Sequence, residues 1–209
     1  MDSYPLMVDI ENKKAIVIGG GKVALRKIRS LLRARADVVV ISPKTVPAIE
    51  KLETEGNLIW CRKEFSPDDL SDAFLVIAAT NHREVNEAVA HSAYPRQLVN
   101  VADNPNLGNF HMPSVLDRGR LTIAVSTGGA SPGLTQKIRD ELGESYDESY
   151  SHYVDFLYKC REMIKHGSFS REQKEDMLKR LLDPKYLDPV RQRETLLGLE
   201  ELRKEGAEP

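Results

Sequence analysis

The chain has 209 residues, 41% of them hydrophobic and 30% charged, enough to bury roughly two thirds of the unfolded surface in a packed core, which excludes an intrinsically disordered chain. Thirty basic side chains against thirty-two acidic leave a formal charge of −2, so no global field draws the protein to nucleic acid or to an anionic membrane. No apolar run nears the roughly 18 residues of a membrane helix, the amino terminus carries no basic stretch ahead of an apolar one, and Cys61 and Cys160 fit neither a disulfide scaffold nor a zinc motif, so a cytoplasmic protein is expected.

In chain order, short apolar runs rich in branched residues alternate with helical patterns, the signature of a parallel sheet in an α/β, Rossmann-like fold. The runs are KAIVI at 14–18, VVVI at 38–41, LIWC at 58–61, FLVIA at 74–78 and LVNV at 98–101. Between the first two, Ala24, Ile28, Leu31 and Leu32 form one stripe of an amphipathic helix. A later helix is expected to begin at Asn81, capped by that side chain with Glu84 reaching back, and to bury Val85, Ala88 and Val89. Residues 104–119, with two prolines and two glycines, break the pattern. A strand is expected at 121–126, then a helix capped by Ser131 with Pro132 at its first position. The rest reads as helical: a long helix with a seam of Tyr146, Tyr150, Tyr153, Leu157, Cys160 and Ile164, a capping box at Ser170 and Gln173, and a last helix opened by Asp188 and Pro189 that frays after Arg203.

The first strand runs straight into Gly19, Gly20 and Gly21, followed by Lys22, Val23 and Ala24 of the first helix. That strand–turn–helix context makes the glycines a dinucleotide-binding hypothesis. Gly19 permits the tight turn, Gly21 lets the backbone approach a pyrophosphate, and the helix start at Lys22 and Val23 supplies N–H groups and positive potential. A glycine turn without a ligand is the plainer alternative. The acidic residue that commonly holds the ribose after the second strand is missing; the position reads Ser42, Pro43, Lys44. The Ser42 hydroxyl and the backbone around Pro43 and Lys44 are then the ribose candidates, and Lys44 reads equally as a 2′-phosphate partner or as a surface lysine. Thr80, after the fourth strand, should line the same crevice. The five histidines show neither the spacing nor the cysteine companions of a metal site, and none is expected. A short-chain reductase is excluded, because no tyrosine is followed four residues on by lysine.

Taken together, GGGKVALRK at 19–27, AAT at 78–80, NVAD at 100–103, FHMPS at 110–114 and VSTGGASP at 125–132 resemble the precorrin-2 dehydrogenase family, the type found at the amino end of siroheme synthases. The resemblance spans about residues 1–145. It implies NAD-dependent oxidation of precorrin-2 to sirohydrochlorin in siroheme formation, a homodimer, and three parts: an NAD-binding Rossmann domain at 1–112, a dimerisation segment at 113–145 and a C-terminal helical domain at 146–209.

The resemblance also places a catalytic acid on Asp103. A carboxylate at the carboxyl end of a strand beside the cofactor crevice can take the proton that leaves as hydride departs. Read from the residues alone, Asp103 serves first as a cap of the turn at Asn104 and Pro105. His111 can donate to a substrate carboxylate or assist proton transfer, or be a plain turn histidine. Where the family has a serine pair this chain has Ser126 and Thr127, so Thr127 is a weaker catalytic candidate. Arg118, Arg120, Lys137 and Arg139 are candidates for neutralising substrate carboxylates, and each also reads as an ordinary surface charge. Two rival functions stand beside the dehydrogenase: insertion of a metal ion into sirohydrochlorin, as some family members do, and a non-enzymatic module that binds a dinucleotide or tetrapyrrole.

Overall fold

The computed structural model describes residues 3–205, with side chains as far as Leu202, and the chain divides between Met112 and Pro113 into two compact units. The first unit is built on β1 (Lys14–Ile18), α1 (Lys22–Arg33), β2 (Asp37–Ile41), α2 (Pro47–Thr54), β3 (Ile59–Cys61), β4 (Leu75–Ala78), α3 (Arg83–Ser92) and β5 (Leu98–Val101). Its five strands form one parallel sheet in the order β3-β2-β1-β4-β5. The chain steps outward from β1 to β3 and then returns to β4 beside β1, so the direction of winding reverses between β1 and β4. Such a switch point opens a crevice at the carboxyl ends of the strands.

Alternate strand residues face opposite layers. Ala15, Val17, Val38, Val40 and Ile77 pack with Ala24, Ile28 and Leu31 of α1 and Ile49 of α2. Ile16, Ile18, Ile41, Val76 and Val101 pack on the other face with Val89 of α3 and Leu70. Burial on both faces is why these strands read as continuous apolar runs. The short α2 escapes sequence reading because its eight residues carry too little periodic pattern.

The helix start expected at Asn81 is corrected. His82 is the N-cap of α3, no side chain caps it, and the Asn81–Glu84 capping box does not form. Thr80 takes that role in closing the loop, its Oγ1 accepting the His82 N–H at 3.1 Å.

The second unit opens with an antiparallel hairpin, β6 (Ser114–Arg118) and β7 (Leu121–Val125), followed by α4 (Pro132–Ser145), α5 (Ser149–His166), α6 (Arg171–Arg180) and α7 (Pro189–Glu205). It thus holds both the segment 113–145 and the helices after it. β6 lies inside the stretch read as irregular, because the breakers sit at its ends: Pro113 precedes it and Gly119, at φ +66°, makes the turn. Ser131 caps α4 by accepting the Leu134 N–H at 3.2 Å, with Pro132 at the first position, and the Ser170–Gln173 capping box opens α6. The tyrosine seam is only partly realised. Tyr153, Cys160 and Ile164 are buried along α5 under Leu181 and Leu199, but Phe156 joins them and Tyr146 ends α4 instead. Tyr150 and Leu157 pack against the same cluster from partly buried positions. α7 continues through Arg203 to Glu205, and the fraying expected beyond it lies outside the described residues. Among the described residues no helix is long and apolar enough to cross a membrane.

Candidate functional site

The carboxyl ends of β1, β2 and β4 open on a cleft of about 900 Å³ in the first unit. Its glycine turn divides by cause. Gly19 adopts φ +119°, and a Cβ there would run into the carbonyl oxygen of Ala79. A Cβ on Gly20 would strike the carbonyl oxygen of Lys44, a constraint that sequence reading missed because the approaching loop lies more than twenty residues away. A Cβ on Gly21 would meet nothing within 4 Å. The fold itself therefore demands the first two glycines and not the third.

α1 starts from Gly21 with no side-chain cap and no acidic residue in its first turn, leaving the N–H groups around Lys22 and Val23 for an anion. On the β2 side the wall is Ser42, Pro43, Lys44 and Thr45. Ser42 Oγ donates to the Lys44 carbonyl at 2.7 Å, and the Ser42 carbonyl accepts the indole N–H of Trp60 at 2.8 Å. The Ser42 hydroxyl proton thus rigidifies the loop. Thr45 is the residue sequence reading overlooked: its Oγ1 is buried at the wall without a hydrogen-bond partner among the described residues. A buried polar atom left so is one that a ligand can satisfy. A bare glycine turn, an open helix end and an orphan hydroxyl are together a fit for the phosphates and ribose of a nicotinamide dinucleotide.

The opposite wall is formed by Ala79, Thr80 and the start of α3. Thr80 is held by Asn86, which is 1% exposed. Asn86 Oδ1 accepts the Thr80 N–H at 3.1 Å and the Thr80 hydroxyl at 2.8 Å, and its Nδ2 donates to the Thr80 carbonyl at 3.1 Å. The same Nδ2 donates to Oδ1 of Asp103 at 2.8 Å. Asp103 does not cap its turn. Asn104 does so, its Oδ1 accepting the Asn106 N–H at 3.3 Å, which leaves the exposed Asp103 carboxylate to Asn86.

His111 is half-buried in the segment that leaves the sheet. That segment is anchored beneath by Lys27, whose Nζ donates to Asn100 Oδ1 at 2.7 Å while Asn100 Nδ2 donates to the Phe110 carbonyl at 3.1 Å. In the second unit, Thr127 Oγ1 accepts the Ser131 N–H at 3.0 Å and closes the Gly128–Gly129 loop onto the start of α4. Arg118, Arg120, Lys137 and Arg139 are all ion-paired inside that unit, to Glu148, Asp155, Glu141 and Asp140.

Residues 6–114 match a family model described as putative NAD(P)-binding, residues 118–145 one described as sirohaem biosynthesis protein central, and residues 150–195 one described as SirC C-terminal domain. The chain is 38% identical over 201 residues to a precorrin-2 dehydrogenase from Priestia megaterium, covering 96% of this chain and 100% of that relative. It belongs to the precorrin-2 dehydrogenase family. A precorrin-2 dehydrogenase from Bacillus subtilis (strain 168) is 36% identical over 157 residues, 75% of this chain and 97% of the relative. A siroheme synthase from Nitrosomonas europaea is 37% identical over 192 residues, but there the chain spans only 40% of the relative's length. A solved structure, "SirC, precorrin-2 dehydrogenase", superposes with a TM-score of 0.83 at 38% identity over 95% of this chain and 100% of that one. In this precorrin-2 dehydrogenase fold Thr80 lines the cleft at the switch point, with Asn86 behind it and Asp103 bonded to Asn86.

Proposed function

We propose that the chain oxidises precorrin-2 to sirohydrochlorin with NAD as hydride acceptor, in the formation of siroheme. The observation that carries this reading is the carboxylate of Asp103, tied through Asn86 to the Thr80 wall of a dinucleotide cleft. Nicotinamide, when bound, supplies the acceptor for the hydride. The chain supplies the rest. Gly21 and the open end of α1 bind the phosphates, with Lys22 and Val23 in the same turn; Ser42, Pro43, Lys44 and Thr45 border the ribose; Thr80 bounds the cleft on its other side.

Loss of hydride from the macrocycle leaves a proton to be removed, and Asp103 takes it. Its Oδ1 is engaged by Asn86, so Oδ2 is the atom that accepts the proton. His111, beside the exit of the sheet, serves the substrate's carboxylates or the onward passage of the proton. Thr127 shapes the glycine loop that opens α4.

Assembly as a homodimer through residues 113–145 belongs to the same proposal. Two strands make a ribbon that is marginal by itself, and among the described residues β6 and β7 pair only with each other. All fourteen residues of α4 stay short of full burial, with Leu134 47% exposed. A second copy covering the hairpin and α4 would bury that surface. The helices from 146 onward act as the C-terminal helical domain within the second compact unit, and the protein works in the cytoplasm.

The test is anaerobic incubation with enzymatically made precorrin-2 and each nucleotide, followed by absorbance. NAD-dependent formation of sirohydrochlorin is expected. No turnover with either nucleotide, together with metal insertion into sirohydrochlorin when ferrous ion is added, would transfer the assignment to the chelatase reading.

A further inference from the structure

Asn86 is a polar residue where α3 should be apolar. It sits one turn before Val89, which is fully buried, on the helix face that packs against the sheet. A buried carboxamide is costly unless all its hydrogen-bonding capacity is used. Here nearly all of it is used: Oδ1 accepts the Thr80 N–H and lies 2.8 Å from the Thr80 hydroxyl, whose one proton is shared with the His82 carbonyl at 3.0 Å, and both protons of Nδ2 are donated, one to the Thr80 carbonyl and one to Asp103. The side chain cannot rotate or flip without breaking four bonds. The helix backbone holds it too, because the Asn86 N–H makes the first turn of α3 with the His82 carbonyl at 3.1 Å.

Three of the four bonds go to one residue of the cleft wall and the fourth to the proposed proton acceptor. A mere plug for the β4–α3 loop needs only the first three. We infer that Asn86 is a positioning residue for the reaction: a single carboxamide sets the Asp103 carboxylate in register with the Thr80 wall, so that proton acceptor and hydride acceptor are placed by one rigid group. The bond fixes which oxygen of Asp103 is free and in what direction it points. Asn86 acts through Asp103 and does not itself touch substrate. The inference rests on the reading of Asp103 as the proton acceptor.

The experiment is a cycle of Asn86→Ala, Asp103→Ala and the double variant in the full chain, assayed with precorrin-2 and NAD under single-turnover conditions at high enzyme concentration. NAD affinity is measured separately by calorimetric titration. Loss of one hydrogen bond to a charged group corresponds to about ten- to a hundredfold in rate. Asn86→Ala should lower the single-turnover rate by that factor, far more than it changes KM for precorrin-2. In the Asp103→Ala background the same substitution should change the rate by less than about twofold.

Equal losses in both backgrounds, or a loss below about twofold in the first, would overturn the role of Asn86 while leaving Asp103 in place. If instead Asp103→Ala keeps activity within about tenfold, the reading of Asp103 fails first and takes the inference with it. Should Asn86→Ala not fold, Asn86→Ser keeps a hydroxyl for Thr80 but is too short to reach Asp103, and the same outcomes apply.

Discussion

Lys27 Nζ lies 2.7 Å from Asn100 Oδ1, a bond between the middle of α1 and the edge strand β5. Since Asn100 in turn holds the Phe110 carbonyl, and Lys27 Nζ also lies 3.5 Å from Met112 Sδ, the helix that opens at the glycine turn is tied to the segment carrying His111. Burial of the amine, with the nearby charge of Arg26, lowers its pKa to about 8.

That shift has a pH signature. In the unfolded chain the amine takes its proton near 10.5 and in the folded chain near 8, so between these values the unfolded state binds more protons and stability rises with pH. The stabilising contribution of the neutral amine is therefore lost as pH falls from 10.5 towards 8 and does not change further below that. Lys27→Met removes this slope. Denaturant titrations of both proteins across the window should show the wild type gaining on the variant as pH rises; parallel curves would show that Lys27 titrates normally.

The glycines of the turn should separate cleanly. Gly19→Ala forces a side chain into φ +119° and against the Ala79 carbonyl, and should destabilise the fold by about 2–4 kcal/mol in thermal or urea unfolding. Gly21→Ala places its Cβ where no protein atom lies within 4 Å, so its unfolding midpoint should fall by no more than a helix-cap change of about 1 kcal/mol, while Gly21→Val, with its larger side chain, should lower NAD affinity by about a hundredfold or more. The fluorescence of the single tryptophan, Trp60, whose indole bonds the Ser42 loop, offers the binding readout. Normal NAD binding by Gly21→Val would place the pyrophosphate elsewhere.

Asp103→Ala should reduce kcat by about a hundredfold to ten-thousandfold, the range for loss of a general base, with NAD affinity nearly unchanged. The affinity is expected to hold because Asp103 is not part of the cleft wall and touches it only through Asn86. A matching drop in NAD affinity would mean that the carboxylate serves the cleft rather than the proton.

In the second unit, Tyr153 is buried and its hydroxyl donates to the Leu181 carbonyl at 2.8 Å, joining α5 to the end of α6. Tyr153→Phe leaves that carbonyl unpaired and should cost about 1–2 kcal/mol of stability in urea titration. NAD affinity, which belongs to the first unit, should not move.

Much of this architecture is legible in the chain itself, for a local reason. Strands buried on both faces are largely apolar, so runs such as KAIVI and VVVI announce the parallel sheet, and a helix that starts behind three glycines announces where phosphates can sit. Ser131 before Pro132 and Ser170 before Gln173 are legible because a cap and its partner lie within four residues. β6 is not, since its flanking breakers resemble those of a loop.

The site divides along the same line. Gly19, Gly21, Ser42, Lys44 and Thr80 follow from strand ends, which sequence patterns mark. Asp103 as a free carboxylate does not, because a turn offers it an equally good local task until Asn104 is seen to perform it. Thr45 and Gly20 owe their importance to chain segments that meet only when the sheet forms. Asn86 is the sharpest case: in sequence it is one polar residue on a helix, and its meaning comes from Thr80, six residues back, and Asp103, seventeen ahead. Local periodicity determines elements and exposes backbone turns; hydrogen-bond partners brought together from different strands are a property of the packed sheet, and only the tertiary structure decides them.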